Sequence, residues 1–103
     1  MTRPRDPAAR LVAALLADAA AAGCPARIVS SETRDWSSAT FTGARHHIRL
    51  AAAAGDARAA WLDALAPQRF ALPRQLLGDL VVERSDAAGV MLSALVLDDL
   101  EAA

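Results

Sequence analysis

The stretch Val90-Met91-Leu92-Ser93-Ala94-Leu95-Val96-Leu97 decides the fold of this chain. A strand projects alternate side chains to opposite faces. Here both sets are apolar: Val90, Leu92, Ala94 and Val96 on one side, Met91, Leu95 and Leu97 on the other, with Ser93 the single polar member. Such a segment reads as a strand in the middle of a sheet. Immediately before it, Ser85-Asp86-Ala87-Ala88-Gly89 has turn composition, and Leu77–Arg84 reads as the other arm of a hairpin.

Further upstream, 68–75, with Pro73, is irregular. Asp56 is placed to cap a helix whose apolar stripe is Trp61, Leu62 and Leu65, with Pro67 ending it. The chain before that is rich in β-branched and hydroxyl residues. Arg27–Arg34 and Ala39–Leu50 read as two strands around a turn at Asp35-Trp36-Ser37-Ser38. Phe41 is out of phase with His46, Ile48 and Leu50, which predicts a bulge at Gly43-Ala44. Arg45, His47 and Arg49 then point the other way. At the start, Asp6 caps and Pro7 opens a first helix, with Leu11, Val12, Leu15, Leu16, Ala19 and Ala22 on its apolar face. Gly23 and Pro25 terminate it.

The order is therefore α-β-β-α-β-β. The second helix links the second and third strands by a crossover, which is right-handed in nearly all proteins. If that crossover skips one position, the fourth strand slots between the second and third, giving order 3-4-2-1. The expected fold class is α+β: a two-layer sandwich with a four-stranded, mainly antiparallel sheet and both helices on one face. This order is similar to a circular permutation of the ferredoxin-like βαββαβ arrangement. The alternative meander, 1-2-3-4, would leave the apolar fourth strand at an edge. The first strand, with Ser30, Ser31, Glu32, Thr33 and Arg34, has the polarity of a protected edge.

Composition bounds the rest. With 103 residues, 54% apolar and a formal net charge of −1, residues 1–103 are expected to form a single domain and are too apolar for intrinsic disorder. All eleven basic residues are arginine, alanine is about a quarter of the chain, and lysine, asparagine and tyrosine are absent. This bias reads as a GC-rich, bacterial genome. Arginine count is thus a weak functional signal. Cys24, the single cysteine, supplies neither an internal disulfide nor a multi-cysteine metal site. Ala21-Ala22-Gly23-Cys24 faintly resembles a lipoprotein cleavage site, but Asp18 interrupts the apolar run before it. A cytoplasmic location, with no membrane contact, is expected.

The polar vocabulary concentrates around Trp36 and Arg45-His46-His47-Ile48-Arg49. Adjacent histidines on a strand face opposite ways and cannot readily clasp one ion. The serines lack a nucleophile-elbow context. Gly55-Asp56 precedes a helix, but the carboxylate there repels an anion. Stacking of RNA bases needs aromatics on central strands, and the fourth strand has none, so nucleic acid is not expected. No cofactor is expected either. What remains is an apolar open face. If Val90, Leu92, Ala94 and Val96 face the helices, Met91, Leu95 and Leu97 face outward, and the reverse assignment leaves an equally apolar row. With Trp36 as a second contact point, this predicts a homodimer through that face, rimmed by Arg45, His47 and Arg49. The alternative is that the C-terminal tail or the stretch 68–75 covers it. The leading expectation is a non-catalytic, self-associating module. The alternative is a small-molecule-binding protein or small enzyme using Arg45, His46, His47, Arg49 and Glu32 in a groove beside the first hairpin.

Overall fold

A computed structural model describes residues 8–98. Helix α1 (Ala9–Ala21) leads into a hairpin of β1 (Ala26–Ser37) and β2 (Thr42–Ala52), followed by helix α2 (Asp56–Ala64). A one-turn 3-10 helix (Pro67–Arg69) precedes the second hairpin, β3 (Gln75–Asp86) and β4 (Gly89–Asp98). The sheet is antiparallel in order β1-β2-β4-β3, with β4 central as its two apolar faces require. The molecule measures 21 Å along its shortest axis, the depth of one sheet and one helix layer. Among the described residues, no helix is long and apolar enough to cross a membrane.

Both helices cover the same face. Leu11, Leu15 and Ala19 from α1 and Trp61 from α2 share one buried cluster with Ile48, Leu50, Val90, Leu92, Ala94 and Val96. The α1 terminus follows its residues closely. Gly23 takes φ +77°, the Cys24 amide donates to the Ala19 carbonyl and the Gly23 amide to that of Ala20. These two bonds form a Schellman cap, and Cys24 is tucked beneath it. The expected Asp6 and Pro7 start lies outside the described residues.

Asp18 joins the helices. Its Oδ2 accepts from the indole Nε1 of buried Trp61 and its Oδ1 from Arg69 Nη2, both at 2.9 Å. Those bonds tie α1 to α2 and to the turn after it. The Arg69 guanidinium and the indole N–H hold the Asp18 carboxyl below its usual pKa, against the opposing effect of partial burial. Arg10 reaches the Pro73 carbonyl at 3.1 Å, and Phe70 and Leu72 pack into the core, so the irregular connection lies on the helix side.

Three local expectations are corrected. Trp36 and Ser37 belong to β1, and the turn is 38–41, where the Ser38 hydroxyl accepts from the amides of Thr40 and Phe41. Phe41 therefore lies in the turn, exposed, and never enters the strand. No bulge is needed at Gly43-Ala44: β2 pairs continuously from Thr42 to Ala52, and the extra residue on this hairpin is Val29, in β1. The third correction concerns α2. Its N-cap is Gly55, and Asp56 is the first helical residue, without a side-chain capping bond; its charge acts on the helix dipole instead.

Candidate interaction face

The site is built from strand alternation corrected by bulges. In β2, His46, Ile48 and Leu50 face the helices, so Arg45, His47 and Arg49 face the open side. In β4, Val90, Leu92, Ala94 and Val96 are buried against the helices, and Met91, Ser93, Leu95 and Leu97 take the open face. The Val29 bulge flips β1 so that Ile28 stays on the helix side while Ser30, Glu32, Arg34 and Trp36 join the open face. Bulges at Gly78 and Glu83 act likewise in β3. They keep Leu77, Leu80 and Val82 in the core and turn Leu76, Asp79, Val81 and Arg84 outward.

Reading across the sheet from β1 to β3, the register gives four rows on the open face. The first is Trp36, Gly43, Leu97 and Leu76, entirely apolar. The second is Arg34, Arg45, Leu95 and Asp79. The third is Glu32, His47, Ser93 and Val81, and the fourth Ser30, Arg49, Met91 and Arg84. Leu76 is 53% exposed and Val81 44%, while Met91, Leu95, Leu97 and Trp36 are half-buried. Leu76, Leu95, Leu97 and Trp36 thus gather at one end of the face.

Charge runs through the middle. Arg45 Nη1 donates to Ser93 Oγ at 3.1 Å and lies 3.8 Å from Asp79 Oδ2, so one guanidinium spans β2, β4 and β3. His47 Nδ1 lies 4.0 Å from Glu83 Oε1, with Glu32 its cross-strand neighbour. Arg34 has no ion-pair partner among the described residues and stands directly opposite Arg45, a like-charge pairing that costs stability. The basic residues of the face lie mainly on β1 and β2; of its carboxylates, Asp79 and Glu83 are on β3 and Glu32 is on β1.

The structure divides the residues singled out for ligand binding. Arg45, His47, Arg49 and Glu32 share the open face. His46 lies on the helix side, 1% exposed, with Nδ1 2.9 Å from Thr33 Oγ1. It is therefore separated from the others by the sheet itself. Arg49 lines a cleft of about 360 Å³ with Glu83, Arg84, Asp86 and Met91 at the β3–β4 turn. Glu83, Arg84, Asp79 and Leu76 carry no motif, and their place on the face depends on two bulges that alternation alone does not announce. Among the described residues, no three His, Cys, Asp or Glu side chains are placed to hold a metal ion. Comparison with known protein families, curated proteins and solved structures gives no match.

Proposed function

We propose that this chain is a self-associating interaction module, and that the open sheet face is the surface through which two copies join. The observation that supports the reading is the apolar row Trp36, Gly43, Leu97 and Leu76, continued by Leu95, on a face that the helices leave uncovered. Large side chains exposed together in this way are characteristic of interfaces. The role is one of assembly and not of catalysis.

Size sets the expected strength. Four strands at about 4.8 Å spacing and four rows at about 6.8 Å give a face on the order of 500–600 Å². Stable complexes bury roughly 800 Å² per partner. Association in the micromolar range is expected. Sedimentation velocity from 1 to 200 µM tests it: a shift from monomer to dimer supports the proposal, and a monomer throughout overturns it. Leu76→Glu should abolish the shift without disturbing the fold, because Leu76 is 53% exposed in the single copy.

A second reading is favoured by the mixed-charge cleft at the β3–β4 turn. In it the chain binds a small zwitterionic molecule in the cleft that Arg49, Arg84, Glu83 and Asp86 line, its carboxylate on the arginines and its ammonium on the carboxylates. Saturable, 1:1 heat on titration with free amino acids, lost in Arg49→Ala, would support this reading. No binding at millimolar ligand would remove it.

A further inference from the structure

We infer that the second copy docks with its two-fold axis parallel to the strands. Strand β1 of each copy then lies over β3 of the other, and Arg34 pairs with Asp79 of the partner subunit. This rests on the face-to-face association proposed above and adds its geometry.

A two-fold axis lying in the plane of the interface has two simple orientations on this sheet. An axis across the strands reverses the rows. It sets β1 on β1 and places Trp36 on Ser30, Gly43 on Arg49 and Leu76 on Arg84, so the apolar row meets one that holds two arginines. It also sets Arg45 against His47. That orientation would pair Arg34 with Glu32, but it breaks up the apolar row and opposes two basic side chains, which is unfavourable.

An axis along the strands carries no translation along them, so every row meets itself with the strand order reversed. Trp36 then faces Leu76, and Gly43 faces Leu97, leaving a continuous apolar strip. Arg34 faces Asp79, Arg45 faces Leu95, His47 faces Ser93, Ser30 faces Arg84, Arg49 faces Met91 and Glu32 faces Val81; the arginine stems can lie along the apolar partners with their charged ends at the rim. No like charges are opposed. The inter-sheet angle of about 30° usual for packed sheets rotates the outer rows, within the reach of an arginine. Arg34, which has only Arg45 opposite it in the single copy, gains a carboxylate.

The symmetry supplies a sharp test. Arg34→Glu alone opposes two pairs of carboxylates across the dimer, and Asp79→Arg alone opposes two pairs of guanidiniums. Each variant should therefore dimerise at least tenfold more weakly than the original chain. In an equimolar mixture of the two variants, both contacts in the mixed dimer become opposite in sign. A heterodimer within about threefold of the original Kd is expected, read by sedimentation with one variant fluorescently labelled. Far-UV circular dichroism checks that each variant is folded, and Asp79→Asn serves if Asp79→Arg is not. Its homodimer should then be weakened less, and the mixture should recover only in part. If the original chain dimerises but the single reversals leave Kd unchanged, or the mixture shows no recovery, the geometry is overturned and the face-to-face reading survives. A chain that stays monomeric overturns both.

Discussion

Removing the Asp18 carboxylate should cost more stability than an exposed helix position normally would. Asp18 is 22% exposed at its side chain and accepts two 2.9 Å hydrogen bonds. The bond to Arg69, whose side chain is 41% exposed, is screened by solvent and is worth about 0.5 kcal/mol. The bond to Trp61 is different, because the tryptophan is 2% exposed and its N–H would be left without this acceptor. Orphaning a buried donor costs about 1–3 kcal/mol. Asp18→Ala is therefore expected to destabilise by about 2 kcal/mol, and Asp18→Asn, which retains a carbonyl acceptor, by about 1 kcal/mol. The pH dependence follows from the lowered carboxyl pKa. Because the folded value lies below the unfolded one, the contribution is present in full above the unfolded value near 3.8 and is lost as pH falls through the folded value. Urea unfolding followed by tryptophan emission and circular dichroism, at pH 7 and at intervals down to pH 2.5, measures both quantities. A loss below 0.5 kcal/mol in Asp18→Ala, or an identical acid limb in Asp18→Asn and the original chain, would refute the role given to this bridge.

Other substitutions test the remaining elements. Gly89 sits at φ +140°, and an added Cβ would stand 2.5 Å from the Leu50 carbonyl oxygen, so Gly89→Ala should lose at least about 2 kcal/mol in urea unfolding. Gly43→Ala would press its methyl onto the Val96 carbonyl, and slowed hydrogen exchange along β2 and β4 should be lost in that variant. Thr33→Val removes the hydroxyl at His46 Nδ1 while keeping the shape, for an expected cost of about 1 kcal/mol by thermal or urea unfolding. Cys24 is buried beneath the α1 cap, so its reaction with a thiol reagent should be slow in buffer and complete only as urea unfolds the chain.

The strand order was legible because one segment carries its answer on both faces. Val90–Leu97 is apolar at even and odd positions, and the central place in β1-β2-β4-β3 follows. Gly23 announced the α1 terminus for an equally local reason: it is the residue that adopts φ +77° without a Cβ penalty. Phe41 falls outside the alternation of β2 because the Ser38 hydroxyl, two bonds from the backbone, holds the turn that contains it. Asp18 read as a polar residue off the apolar stripe. Its partners are 43 and 51 residues away, so no local pattern could assign them.

The face itself shows the same division. The sequence determined that Arg45, His47 and Arg49 share a side and that Met91, Leu95 and Leu97 lie opposite Val90, Leu92, Ala94 and Val96, because both statements need only the period of a strand; which of the two apolar sets meets the helices was decided by the packing. Tertiary structure decided which strands lie beside them. It placed Asp79 near Arg45, Glu83 near His47, and Leu76 at the end of the row begun by Trp36. Those neighbours depend on single-residue bulges at Val29, Gly78 and Glu83, each of which reverses every later side chain on its strand. A bulge is fixed by the pairing of two strands and by the burial of the residues beyond it. That is a property of the assembled sheet, and neither strand holds it alone.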